Sequence, residues 1–153
     1  MYLLNFCEYG RSNHDYDTIS RPSGSGDYLF LQFKAPMKVY IEDKITITRE
    51  NACILYTPGS PQRYQAVRRF YNSYLHFSSD ENPGQSFGIP ENSIFYPEDP
   101  MQVDSFISRL HQEYFSSIPF REESIHALIT LMFLTIARGL TKATTQKEDA
   151  GHL

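Results

Sequence analysis

The sequence predicts an antiparallel β domain that gives way to two α-helices, and three observations carry that expectation. Residues 2–77 are written as short apolar runs separated by turn residues, the pattern of successive β-strands. After Pro100 the apolar period lengthens to three and four residues, the spacing of one helix face. The 153-residue length fits one domain of roughly 100 to 200 residues, and 41% hydrophobic with 14% aromatic residues supplies the apolar surface for a core.

Residues 2–7, 28–33, 39–41, 45–48, 53–56, 63–67 and 70–77 are rich in β-branched, leucine and aromatic side chains and form seven expected strands. Between them, Ser20-Arg21-Pro22-Ser23-Gly24-Ser25-Gly26-Asp27, Ala35-Pro36, Glu42-Asp43-Lys44 and Thr57-Pro58-Gly59-Ser60-Pro61 are turn segments, as is Asp80-Glu81-Asn82-Pro83-Gly84 after the last strand. Because these connections are short, neighbouring strands are expected to pair mostly in sequence order. Val103, Phe106, Ile107, Leu110 and Tyr114 mark the apolar side of a helix over 100–115, with Asp104, Arg109, Gln112 and Glu113 opposite. A second helix over 121–139 follows Pro119; Glu122 and Glu123 in its first turn favour the dipole, and Gly139 lies near its expected end. Its uncharged segment, 125–137, is too short at about 1.5 Å per residue to cross a hydrocarbon layer of about 30 Å, so it reads as a buried or partner-facing helix. Residues 141–153 are polar and aperiodic, and read as a linker or frayed end.

Several chemistries find no support. The formal charge of −4 disfavours a domain that itself neutralises a phosphate backbone. The five histidines show no HxH or HExxH spacing, so no metal is expected, and no other cofactor. Gly24-Ser25-Gly26 lacks the GK[ST] continuation of a phosphate loop, and Ser60 lacks the GxSxG frame of a nucleophile turn. Cys7 and Cys53 sit in apolar runs without a CxxC pattern and read as reduced core residues. The first eight residues show no basic region and only a short apolar stretch, so a cytoplasmic chain without membrane attachment is expected.

Three places resemble the amino-terminal ligand-sensing domain of AraC-type transcription regulators. Arg21-Pro22, the glycine-rich loop and Asp27-Tyr28-Leu29-Phe30-Leu31 are similar to that family's arginine, turn and opening barrel strand. Thr57-Pro58-Gly59-Ser60-Pro61-Gln62-Arg63-Tyr64 resembles its PPG-x-x-H-x-Y turn, and Tyr71-Asn72-Ser73-Tyr74-Leu75-His76-Phe77 its aromatic strand. Gln62 stands where many members have histidine, Tyr74 where tryptophan is common, and few residues precede the first strand.

The resemblance implies a mainly β fold with C-terminal helices: a cupin-like antiparallel β barrel, or jelly roll, over 1–97, a helical dimerisation segment of the same domain over 98–140, and a tail over 141–153. It implies a non-enzymatic sensor of a sugar or other metabolite, with DNA bound only through a helix-turn-helix domain outside this chain. By matching position, Arg21, Tyr64, Asn72 and Tyr74 become ligand contacts, with Cys7 on the first strand a weaker candidate. Independently, strand alternation puts Phe70, Asn72, Tyr74 and His76 on one face of 70–77, adding His76 to that set. The competing reading makes that face solvent-exposed, with Tyr71, Leu75 and Phe77 in the core. At the level of function the alternatives are a small cupin enzyme, an isomerase or metal-dependent oxygenase, and a purely structural dimerisation module.

In the second helix, Ile125, Leu128, Ile129, Met132, Phe133, Ile136 and Leu140 fall on one stripe expected to pack on the barrel. Leu131 and Leu134 fall off it, beside Ala127 and Arg138, which predicts a homodimer with this face at its two-fold axis. A helix enclosed wholly by its own chain is the alternative.

Overall fold

The computed structural model describes residues 1–151, with side chains through Lys142. Eight strands run in the order β1 (Leu3–Ser12), β2 (Thr18–Arg21), β3 (Tyr28–Phe33), β4 (Met37–Ile41), β5 (Lys44–Ile47), β6 (Ala52–Tyr56), β7 (Gln62–Ala66) and β8 (Tyr71–Ser78). Three helices follow: α1 (Pro83–Phe87), α2 (Pro100–Tyr114) and α3 (Arg121–Gly151). The strands form two antiparallel four-stranded sheets, ordered β1-β8-β3-β6 and β2-β7-β4-β5. The domain is thus β-rich with helices at its C-terminal end.

Pairing in sequence order, expected from the short connections, is found only at β4–β5; every other connection crosses from one sheet to the other. The β3–β4 turn shows why. Lys34 still donates its N–H to the Tyr71 carbonyl at 2.9 Å, but Pro36 has no N–H to continue a ladder, and the chain turns to the second sheet.

The first sheet is covered on both faces. Leu29, Leu31 and Phe33 of β3, with Ala52, Ile54 and Tyr56 of β6, face the second sheet and meet Met37, Val39, Tyr64 and Ala66. On the opposite face Phe30, Cys53, Leu55, Leu75 and Phe77 meet Val103, Ile107 and Leu110 of α2 and Ile125, Ile129, Met132, Phe133 and Ile136 of α3. The expected helix stripes are therefore the buried ones, with Leu140 packed at their end. Lys34 ion-pairs with Asp104, whose Oδ2 also accepts from the Tyr9 hydroxyl at 2.7 Å, tying β1 and the β3–β4 turn to α2.

Four local features depart from the sequence expectations. β2 is a short strand, Thr-Ile-Ser-Arg, whose last two residues had read as turn; its order comes from pairing with β7 and not from apolar content. β1 runs past residue 7 because a bulge at Gly10, at φ 66°, lets pairing with β8 resume at Arg11 opposite Asn72. Asn82-Pro83-Gly84 opens α1, with the Asn82 side chain accepting from the Gln85 N–H at 3.2 Å and proline at the first turn.

The largest departure is in α3, which does not end near Gly139. A Cβ there would lie 2.9 Å from Glu98 Cβ, so this glycine serves close packing and not termination. No proline or glycine follows before Gly151, and the segment expected as a polar tail is helical to that point; His152 and Leu153 lie outside the described residues. Over Arg121–Lys142 the helix is long and apolar enough to cross a membrane, unlike the thirteen-residue segment considered alone, but its apolar stripe is covered by the sheet and α2.

Gly24 offers a test of the β2–β3 loop. At φ 66° its Cβ would lie 2.2 Å from the Ser60 carbonyl oxygen, whereas Gly26 has nothing within 4 Å. Gly24→Ala should lose more than about 1 kcal/mol in urea unfolding, and Gly26→Ala should lose less than about 0.5 kcal/mol. Equal effects would show that the loop is not held against Ser60.

Candidate functional site

β8 supplies one wall of a cavity between the two sheets. Its alternation turns Leu75 and Phe77 to the helices and sends Asn72, Tyr74 and His76 the other way, preceded by Phe70. Opposite stand Tyr64 of β7 with Ile19 and Arg21 of β2, while Leu29 of β3 lines the base. Arg11 and Asn13 complete a cavity of about 200 Å³. Arg21, Tyr64, Asn72, Tyr74 and His76 thus converge on one space.

Each of these side chains is held differently. Tyr64 lies between Phe33 and Phe70, with ring centroids 5.2 and 6.4 Å away, and burial pushes its hydroxyl well above the ordinary tyrosine range. Tyr74 meets His76 edge-on at 5.9 Å, and burial raises its pKa as well. The His76 Nδ1–H donates to Asp27 Oδ1 at 3.0 Å, and Asn5 Nδ2 donates to Asp27 Oδ2 at 2.9 Å. Arg21 donates to the Gln62 amide oxygen at 3.4 Å while Gln62 Nε2 donates to Ser25 Oγ at 3.1 Å. Gln62, at the position where the resemblance would place histidine, is fully engaged in orienting the arginine and the loop.

Asn72 is the cavity residue whose side-chain polar atoms are buried without a partner. It is 1% exposed, and neither its Nδ2 nor its Oδ1 has a hydrogen-bond partner. Gln32 bonds to the Pro100 carbonyl, Thr48 accepts from the Met37 N–H, Gln62 is engaged as above and Ser73 accepts from the Gly10 N–H, whereas the buried Tyr2 and Tyr56 hydroxyls, like Asn72, have no partner but lie outside this cavity. An unpaired buried polar group costs about 1 to 3 kcal/mol, so Asn72 carries an energetic penalty that a ligand with matching groups would relieve.

Cys7 does not belong to the site. It lies on the helix-facing side of β1, its thiol 3.9 Å from the Ile107 carbonyl, and burial pushes its pKa up to about 12. Strand alternation explains this: Cys7 pairs with Leu75, which faces the helices, and β1 lines the cavity only at Arg11, beyond the bulge at Gly10. Arg11 was missed because the sequence shows no strand there; carrying the ladder through the glycine would have found it.

On α3, Leu131 and Leu134 are 49% and 39% exposed, and Ala127 and Arg138 are exposed beside them. Leu131 also borders a groove of about 240 Å³ with Phe106, Arg109 and Thr135, so α2 contributes to the same surface. Among the described residues no group of three or more His, Cys, Asp or Glu is arranged to hold a metal ion. No protein-family model and no curated protein matches the chain. Fold and site together define a β-rich two-sheet domain with a cavity of cationic, amide and aromatic character.

Asp27 gives the site a pH signature. Burial alone would raise its pKa, but hydrogen bonds from Asn5 and His76 outweigh that and hold the carboxyl below the ordinary value of 3.8. A lowered folded-state pKa contributes stability above the unfolded value and loses it as pH falls through the folded one. Wild-type stability should therefore fall more steeply below about pH 4 than that of Asp27→Asn in urea titrations. Parallel curves would mean that the Asp27 contacts do not stabilise the fold.

Proposed function

We propose that this chain is the small-molecule-sensing and dimerisation domain of an AraC-type transcription regulator, cytoplasmic and non-enzymatic, whose DNA-binding helix-turn-helix lies outside it. The strand order, with alternate strands exchanged between two four-stranded sheets, supports the cupin-like jelly roll that the sequence resemblance implies. The observation that carries the sensor reading is Asn72: a buried amide with both polar atoms unpaired, on a cavity shared with Arg21, Tyr64, Tyr74 and His76. Such a residue is retained against its cost where a ligand supplies the missing bonds.

The effector would act by differential affinity for two arrangements of the dimer, since a ligand that binds both equally shifts neither. The dimer face is the exposed side of α3, with Leu131, Leu134, Ala127 and Arg138, rimmed by α2. Two leucines side by side on the solvent face of an otherwise apolar helix support a second copy as the covering surface.

Thermal denaturation of the chain with a library of sugars, organic acids and aromatic metabolites tests the sensor reading. At least one compound should raise Tm for wild type and not for Tyr74→Ala, and failure of the whole library would contradict it. The dimer has its own test in sedimentation of the Leu131→Glu, Leu134→Glu double variant. A folded monomer is expected; a folded dimer would move the interface elsewhere, and an unfolded chain would assign the leucines to the core.

A further inference from the structure

We propose that the cavity takes a small organic carboxylate carrying a second polar group, in preference to a neutral sugar. This rests on the sensor reading of the same cavity and specifies its ligand. The chain as a whole carries a formal charge of −4, yet the charged groups on the cavity are Arg11 and Arg21, and no carboxylate lines it. Local charge of the sign opposite to the rest of the molecule selects an anion and speeds its encounter.

The arginines have spare capacity. Arg21 donates to a neutral amide and pairs with no carboxylate among the described residues. Arg11 donates from Nε to Asn13 Oδ1 at 3.0 Å and ion-pairs with Glu8, with Nη1 and Oε1 3.9 Å apart and side chains 50% and 25% exposed, a loose surface contact that an incoming carboxylate can replace. A guanidinium presents paired N–H donors that match the two oxygens of a carboxylate, a fit that a sugar hydroxyl does not offer.

The rest of the cavity fixes the remainder of the ligand. Ile19, Leu29, Tyr64, Phe70 and Tyr74 offer an apolar and aromatic wall that suits a flat or compact body. Asn72, with one amide donor group and one acceptor oxygen both unpaired, calls for a further group that donates and accepts, such as a hydroxyl. About 200 Å³ lies below the roughly 300 to 1,000 Å³ of drug-sized sites, which limits the ligand to a small metabolite.

The test compares acids with their neutral amides on the full chain by calorimetry and ligand-observed NMR. The pairs are 4-hydroxybenzoate with 4-hydroxybenzamide, L-lactate with lactamide, and glutarate with glutaramide; D-ribose is the neutral sugar. At least one acid should bind about tenfold or more tightly than its amide and than ribose, and weaken as salt is raised. Arg21→Gln, and Arg11→Gln as a second variant, should each remove most of that preference, bringing the affinity for the acid down toward that for its amide. Ribose or the amides binding as well as the acids would overturn the carboxylate assignment and leave the sensor reading standing. Acid binding unaffected by both arginine variants would also overturn it. Failure of every acid, amide and ribose would overturn it together with the use of this cavity.

Discussion

The pairing of β8 with β3 sets Leu75 beside Phe30 and Phe77 against Tyr28 on one face, and Tyr74 beside Leu31 and Asn72 beside Phe33 on the other. The stacked Tyr28 and Phe77 rings, 5.1 Å apart, and the edge contact of Phe30 with Phe133 bind the first face to α3. The second face is left to the space between the sheets. Because a strand alternates strictly, the same ladder that anchors the helices also fixes where the polar residues must point. A register slip by one residue would send Asn72 and His76 toward the helices and Leu75 into the cavity.

That arrangement separates stability from recognition. Burying a leucine or phenylalanine side chain contributes about 1.5 to 3 kcal/mol, and the helix-facing side of the first sheet holds several of them. A single unpaired amide on the other side is affordable against such a sum. The Lys34–Asp104 ion pair and the Tyr9 hydroxyl bond join the cavity-bearing strands to α2, so the layer carrying the proposed dimer face is bonded to the strand that carries Arg11. The geometry offers a short physical connection between the two sites.

Much of this was legible in the sequence, for reasons that differ from place to place. The alternation in 70–77 and the stripe from Ile125 to Ile136 reflect packing periods that the chain cannot disguise, and both faces were assigned correctly. Thr18–Arg21 was hidden because an edge strand held by β7 needs no apolar signal of its own. Gly139 misled because it has the local look of an ending yet is a close approach to Glu98 inside a helix, while the bulge at Gly10 that prolongs β1 leaves no mark in a pattern of apolar runs. The pairing order was not legible at all, because short connections serve hairpins and sheet-to-sheet crossings equally well. Cys7 failed as a site residue because it pairs with Leu75 on the helix-facing side, and Arg11 was missed because the bulge that prolongs β1 was not visible.

The central claim is that Asn72 is kept for a ligand and contributes nothing to the fold, and equilibrium urea unfolding of Asn72→Leu without ligand tests it most directly. An apolar side chain of similar shape removes an unpaired buried amide, so the variant should be as stable as wild type or more stable by about 1 kcal/mol. A loss of about 2 kcal/mol or more would show that the amide is bonded within the folded protein and would contradict the account.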